Sequence, residues 1–152
     1  MLDLEAIELI KQLKSRYFRF LDTGDLAGLQ TVFTADGGIH YRSPSYEYCK
    51  NGWNELEAFF SDSFSKTKFG MHTGHHPEIT VTGDTATGIW YLRDTFVSLD
   101  DGITFDGSAI YHDVYVKEGG VWKIMKSSYD RLFEQITKRN DDQFITCCPI
   151  KG

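Results

Sequence analysis

Cysteine is scarce in this chain, and it lacks basic clusters, long apolar runs and the short motifs of nucleotide and hydrolase chemistry. The three cysteines, Cys49 and the vicinal pair Cys147 and Cys148, make no disulfide framework. A reduced, cytoplasmic setting is the expectation that follows. The formal net charge is −6 and no Lys/Arg block interrupts it, which argues against nucleic acid and anionic membrane as partners. No apolar run approaches a membrane span. Met1-Leu2-Asp3-Leu4-Glu5 has neither the basic start nor the unbroken apolar segment of a signal peptide. No phosphate-cradling glycine loop, dinucleotide fingerprint or serine elbow is present, so no cofactor is expected. Cysteine–histidine nucleophilic catalysis has no local signature either, and Cys147-Cys148 reads as incidental.

Aromatic residues, in contrast, are plentiful: eleven Phe, eight Tyr and three Trp. Most of these rings read as core, with a subset available to line a cavity for a flat or cyclic hydrophobic ligand. A chain of 152 residues is expected to form one domain with a real core, residues 133–152 being a C-terminal tail.

Ala6, Ile10, Leu13, Tyr17 and Phe20/Leu21 recur at helical spacing and predict a helix over residues 3–22, with Glu5, Lys11, Lys14 and Arg19 on its other faces. Thr23-Gly24 supplies a stop. Asp25 caps a short second helix to about Phe33, and a third is predicted from Asn54 to Phe64. Gly37 to Arg42 reads as a short strand. β-patterned sequence opens at the His72 segment and continues through Ile79–Val81, Thr85–Leu99, Ile103–Lys117 and Val121 to about Tyr129. Tight turns at Thr82-Gly83-Asp84, Asp100-Asp101-Gly102 and Glu118-Gly119-Gly120 join these runs. Helices first and strands later predict an α+β fold. The expectation is three N-terminal helices packed on one face of a strongly curved, mainly antiparallel sheet. After Leu132 a helical turn or a flap is expected. Outward Ile89, Tyr91, Val97, Ile110, Val114 and Val116 would leave an apolar sheet face, so a homo-oligomer, dimer or trimer, is expected.

The strand period sorts residues by face. Trp90, Leu92, Asp94 and Phe96 share one, as do Ala109, Tyr111 and Asp113, and Ser127, Tyr129 and Arg131. Asp94 breaks an apolar pattern, so it belongs to a site, or else pairs with Arg93 or lies at the sheet rim. Arg131 reads as a clamp for a substrate oxygen or for Asp94, or as an exposed strand-end charge. Three of the five histidines lie in Met71-His72-Thr73-Gly74-His75-His76, and imidazole is the side chain poised to exchange protons near neutrality. Asp22, at the end of the first helix, and Tyr17 and Tyr41 read as facing the same interior. An acid at a helix C-terminus opposes the macrodipole and hints at a use beyond solvation. Tyr17 also fits simple packing. A metal would need His72, His75 and His76 together. On a strand His72 and His76 share a face while His75 points away, and no metal-ligand spacing adds a further donor, so no metal is expected.

From Ile10 to about Leu132 the chain resembles the SnoaL-like group of the nuclear-transport-factor-2-like superfamily. The resemblance rests on Leu13-x-x-x-Tyr17-x-x-x-Leu21-Asp22, Asp25-x-x-x-Leu29-x-x-x-Phe33-x-x-Asp36, the His72 segment through Pro77-Glu78-Ile79, Thr82-Gly83-Asp84-Thr85-Ala86 and Gly120-Val121-Trp122-Lys123-Ile124. That scaffold serves dehydratases, isomerases, cyclases, epoxide hydrolases and binding proteins, so the resemblance implies a cone-shaped α+β barrel more sharply than any activity. Within the group the chain is similar to scytalone dehydratase, which implies that Asp22 orients His72 and that Tyr41 contacts substrate. That enzyme's second catalytic His falls here on Phe96. Similarity to bile acid 7α-dehydratase implies site roles for Tyr17, Asp22, His72, Asp94 and Arg131. Trp90, Phe96, Tyr111 and Tyr129 read as pocket wall or core. Two classes stay open. One is a cofactor-independent lyase (or, with the same base and oxyanion donor, an isomerase or cyclase) acting on a small hydrophobic cyclic hydroxy-ketone such as a steroid or polyketide. The other is a non-catalytic binding module.

Overall fold

The computed structural model describes residues 1–150 of the chain. Helix α1 (Leu4–Thr23) begins where the Asp3 carboxylate accepts the Ala6 N–H at 3.0 Å, and it ends at Gly24, whose φ of 65° is a left-handed stop. Its buried stripe is Ala6, Ile10, Leu13, Tyr17, Phe18 and Leu21. Each fully buried Leu or Ile contributes about 1.5–3 kcal/mol. Asp25 caps α2 (Leu26–Val32) through the Gly28 N–H at 2.8 Å. Strand β1 (Phe33–Ser43) then turns through Pro44-Ser45 into β2 (Tyr46–Asn51), and α3 (Trp53–Ser63) follows. Four long strands complete the chain: β3 (Lys68–Thr82), β4 (Thr85–Ser98), β5 (Ile103–Glu118) and β6 (Val121–Lys138).

The strands form one open sheet in the order β2-β1-β6-β5-β4-β3, antiparallel except where β1 runs parallel to β6. The sheet curves but does not close, since β2 and β3 remain its two edges. The three helices cover its inner face and one buried cluster fills the space between. Among the described residues no helix is long and apolar enough to cross a membrane.

Five expectations change. Lys14 leaves the solvated face predicted for it and is fully buried in the core. β2, absent from the sequence pattern, pairs with β1 as a wet edge strand. The chain after Leu132 is not helical: β6 stays paired with β5 as far as Lys138, because Ile103 through Ser108 give it a partner. The tail beyond returns along the molecule, where Cys148 Sγ lies 3.8 Å from the Lys66 carbonyl and the Ile150 side chain sits beside Gly24. Val97 is buried instead of contributing to an outer apolar face; its cross-strand neighbours on that face are Phe69, also buried, and Thr104, which Arg139 of the tail engages at 2.9 Å. Finally, His76 adopts φ 50° at a register shift between His75 and Glu78. That bulge breaks the alternation, so His75 stacks on Tyr91 and His76 meets the same ring edge-on, away from His72.

Candidate active site

Asp22 occupies the last turn of α1, where a carboxylate faces the negative end of the helix dipole and needs a compensating donor. His72 supplies two. Its Nδ1 lies 2.6 Å from Asp22 Oδ1, and its backbone N–H donates to Oδ2 at 3.1 Å. A carboxylate only accepts, so against it Nδ1 is the donor, and in the neutral imidazole Nε2 is then the atom that carries the lone pair. Gly74 makes the approach possible: a Cβ there would run into the Phe18 ring of α1. Phe18 lies parallel to the His72 ring at 6.1 Å, and Phe64 meets it edge-on at 5.8 Å. Among the described residues no protein group bonds Nε2, and it is not one of the buried unpaired atoms. The His72 side chain keeps 11% of its exposure and that of Asp22 keeps 22%.

In the β3–β4 register His72 stands directly opposite Asp94. Asp94 pairs with Arg131 and not with Arg93, which reaches toward Asp106 at 3.8 Å. Arg131 donates from both terminal nitrogens to Asp94, at 2.5 and 2.7 Å, in the two-pronged geometry that fixes a guanidinium in place. Its Nε donates to the Tyr46 hydroxyl at 2.8 Å and lies 3.3 Å from Glu134. The Arg131 side chain is 6% exposed and is no rim charge. Burial is the largest influence and disfavours its charge, but the Asp94 hydrogen bond together with the charge of Asp94 and the neighbouring Tyr129 and Tyr46 outweighs it and carries the ionisation above the ordinary guanidinium range.

A cluster of phenols adjoins this pair. Tyr41 stacks on Tyr129 at 4.4 Å, and its hydroxyl bonds that of Tyr17. Tyr129 and Tyr46 share a hydroxyl contact at 2.8 Å. Burial pushes the Tyr17, Tyr41, Tyr111 and Tyr129 phenols well above the usual range, so they are neutral O–H groups. Behind them Lys14 Nζ bonds Asp113 at 2.7 Å and lies 3.5 Å from the centre of the Tyr111 ring. Burial lowers the Lys14 ammonium below its ordinary range despite Asp113. Asp113 also accepts from Tyr115 at 2.8 Å, and Trp90 donates to that same hydroxyl at 3.0 Å.

A cavity of about 320 Å³ adjoins the site. Of the residues singled out by sequence, Tyr41, Asp94, Phe96, Tyr129 and Arg131 are on its wall. Trp90 and Tyr111 are core residues behind that wall, and Tyr17 backs Tyr41. Asp22 and His72 meet each other but do not line the cavity; Leu21, Phe64 and Asp94 line it where the dyad lies behind. Sequence reasoning missed Tyr46, Phe64 and Phe105 on the wall and the Lys14–Asp113 pair beneath it. The Tyr46-Glu47-Tyr48 alternation was the available signal for the first of these; the buried ion pair left none.

An open, curved sheet covered by three helices, with phenol hydroxyls on the wall of a mainly apolar cavity and an acid–imidazole pair behind that wall, defines a class of small α+β cones. The chain belongs to the SnoaL-like domain family, whose model matches residues 2–128. A candidate aromatic ring hydroxylase from Novosphingobium aromaticivorans superposes with a TM-score of 0.80 at 21% identity, covering 91% of this chain and 96% of its own. A candidate scytalone dehydratase from the same organism gives 0.77 at 16%, covering 96% and 93%. A hexachlorocyclohexane dehydrochlorinase, LinA type 2, gives 0.76 at 17%, covering 93% and 94%. At these identities the likeness is one of fold.

Proposed function

We propose that the chain is a cofactor-independent dehydratase that removes water from a hydrophobic cyclic hydroxy-ketone such as a steroid or polyketide. The observation that carries this reading is the two-point bond between Asp22 and His72, which leaves Nε2 as an unpartnered base. In the proposed reaction Nε2 takes a proton from the carbon beside the substrate carbonyl, and Asp22 stabilises the resulting imidazolium. Either hydroxyl of the Tyr17–Tyr41 pair can donate; in the proposed reaction Tyr17 takes the donor role, so that the Tyr41 proton serves the enolate oxygen as it develops. The imidazolium then returns its proton to the leaving hydroxyl. Water departs, a carbon–carbon double bond forms, and the dyad is restored. Asp94 and Arg131 hold the polar end of the substrate at the cavity wall. Neighbours of this fold that bear dehydratase and dehydrochlorinase names support elimination as the reaction type.

The test is absorbance screening of cyclic hydroxy-ketones for a new conjugated enone. His72→Ala is expected to lose about a hundred- to ten-thousand-fold in turnover and Asp22→Asn to follow it in direction, both remaining folded. Retention of most activity in His72→Ala removes the assignment. An isomerase or cyclase uses the same base and donor and shows itself by product formation without loss of water. A binding-only module is the second reading, favoured by the position of His72 behind the cavity wall. It expects ring compounds to raise the melting temperature with no enone from any of them. The proposal includes a homo-oligomer, dimer or trimer, to be read from sedimentation equilibrium.

A further inference from the structure

His72 does not line the cavity: Leu21, Phe64 and Asp94 form the wall in front of it, and of these Phe64 is the one whose ring meets the imidazole. Phe64 lines the cavity, meets the His72 ring edge-on at 5.8 Å and meets Phe96 at 6.1 Å, almost perpendicular to it. Phe18 closes the other side of the imidazole. We propose that Phe64 is the gate between the cavity and His72, and that it sets which substrates reach Nε2. The inference rests on the reading of His72 as the base and adds what admits a molecule to it.

The backbone that carries Phe64 is pinned on both sides. The Phe64 N–H donates to the Phe60 carbonyl at 3.0 Å, the Ser65 N–H to Lys68 O at 2.7 Å, and the Leu99 N–H to Thr67 O at 2.8 Å. Thr67 Oγ1 also donates to Asp100 at 2.9 Å. The element free to move is therefore the ring, which packs against aromatic neighbours on one side and against open cavity on the other. Turning it aside sacrifices two edge-to-face contacts, which a flat ring-bearing molecule can replace by offering its own face or edge to Phe64, Phe96 and His72. An acyclic or strongly curved molecule cannot. The substrate class is thus narrowed to planar or nearly planar ring compounds carrying the labile proton at the rim, next to Nε2.

The experiment measures access to His72 directly, with diethyl pyrocarbonate as the probe and peptide mapping to resolve the five histidines. In the unaltered protein His72 is expected to react on the order of tenfold more slowly than the exposed His76 and His112, the population left to the open ring after loss of its contacts. Phe64→Ala should raise the His72 rate by a similar factor, on the order of tenfold, with His76 and His112 unchanged. 2-Naphthol, filling the opened space, should suppress that gain. A His72 rate that matches His76 in the unaltered protein, or that is indifferent to Phe64→Ala, overturns the gate. If Phe64→Ala accelerates all five histidines together through unfolding, Phe64→Leu and Phe64→Trp decide: the former should label His72 faster and the latter slower, and equal rates overturn the proposal. Because labelling requires no turnover, a gated protein with no dehydratase activity leaves this inference standing while the catalytic reading falls. An active dehydratase with ungated labelling does the reverse.

Discussion

Lys14 and Asp113 meet with no exposed side-chain surface on either, so each charge depends on the other and on few further partners. Ser127 lies at 3.5 Å from the ammonium, Tyr115 donates to one carboxylate oxygen, and the other oxygen has no partner among the described residues. Breaking such a pair from one side strands a charge, which costs about 3–5 kcal/mol. Lys14→Met is therefore expected to lower the stability measured by urea unfolding by that amount, while Lys14→Met/Asp113→Leu recovers most of it. A single variant as stable as the parent would mean that Asp113 is held neutral by its surroundings. The same pair marks the limit of what single residues disclose. Asp94 stood out because a carboxylate interrupted Trp90, Leu92 and Phe96, and an acid at the end of α1 was out of place for its dipole. Lys14 interrupted nothing, since one lysine per turn is the ordinary look of a solvated face. Its partner lies on β5, brought near only by the packing of α1 on the sheet.

The helices and the turns between the later strands were legible to within a few residues, whereas the end of β6 was not, running to Lys138 where about Tyr129 was expected. All three helices carry a cap or an apolar stripe, and the meander from β4 to β6 is punctuated by glycine turns at Gly102, Gly119 and Gly120. β2 was not read as a strand, because it is short and mostly exposed and only the alternation of Tyr46 and Tyr48, which line the cavity, sets it apart from loop. The bulge at His76 was not legible either, for no glycine announces its left-handed backbone. Gly74, on the same strand, is where two elements meet most closely, with the Phe18 ring of α1 resting over its Cα. Adding a methyl group there overfills a packed contact, which typically costs about 1–3 kcal/mol. Gly74→Ala is expected to lower the melting temperature by roughly 2–4 °C per kcal/mol lost for a chain of this size. It should also push the end of α1 away from β3 and weaken the Asp22–His72 contact. An unchanged melting temperature would show that α1 can slide without loss.

At the scale of the molecule, the pairing of the first strand with the last was the choice that no local pattern announced, and it builds the site. Because β1 lies parallel to β6, Tyr41, Tyr129 and Tyr111 fall on one cross-strand row, and Tyr17 reaches that row from the helix layer. The row couples the fold to alkali. Burial raises the phenols of Tyr17, Tyr41, Tyr111, Tyr115 and Tyr129 above their ordinary value of 10.0. Below that value folded and unfolded chains hold the same phenolic protons, and the stability is fully present. Above it the unfolded chain releases protons that the folded chain keeps, so stability falls as pH rises. Each buried phenol contributes about 1.4 kcal/mol per pH unit of loss. Five together remove on the order of 7 kcal/mol per unit, against a typical total stability of about 5–15 kcal/mol. Lys14 works in the opposite sense: its lowered folded value makes stability rise with pH up to the ordinary 10.5, where its effect is complete. One lysine offsets only a fraction of five phenols. The chain is therefore expected to unfold cooperatively within about one to two pH units above the ordinary phenol value. Tyrosinate absorbance of the buried set should appear in the same step as the loss of circular dichroism. A tyrosinate signal that instead grew smoothly while the dichroism stayed native would mean that these hydroxyls reach water without unfolding, and that the polar row is an open channel.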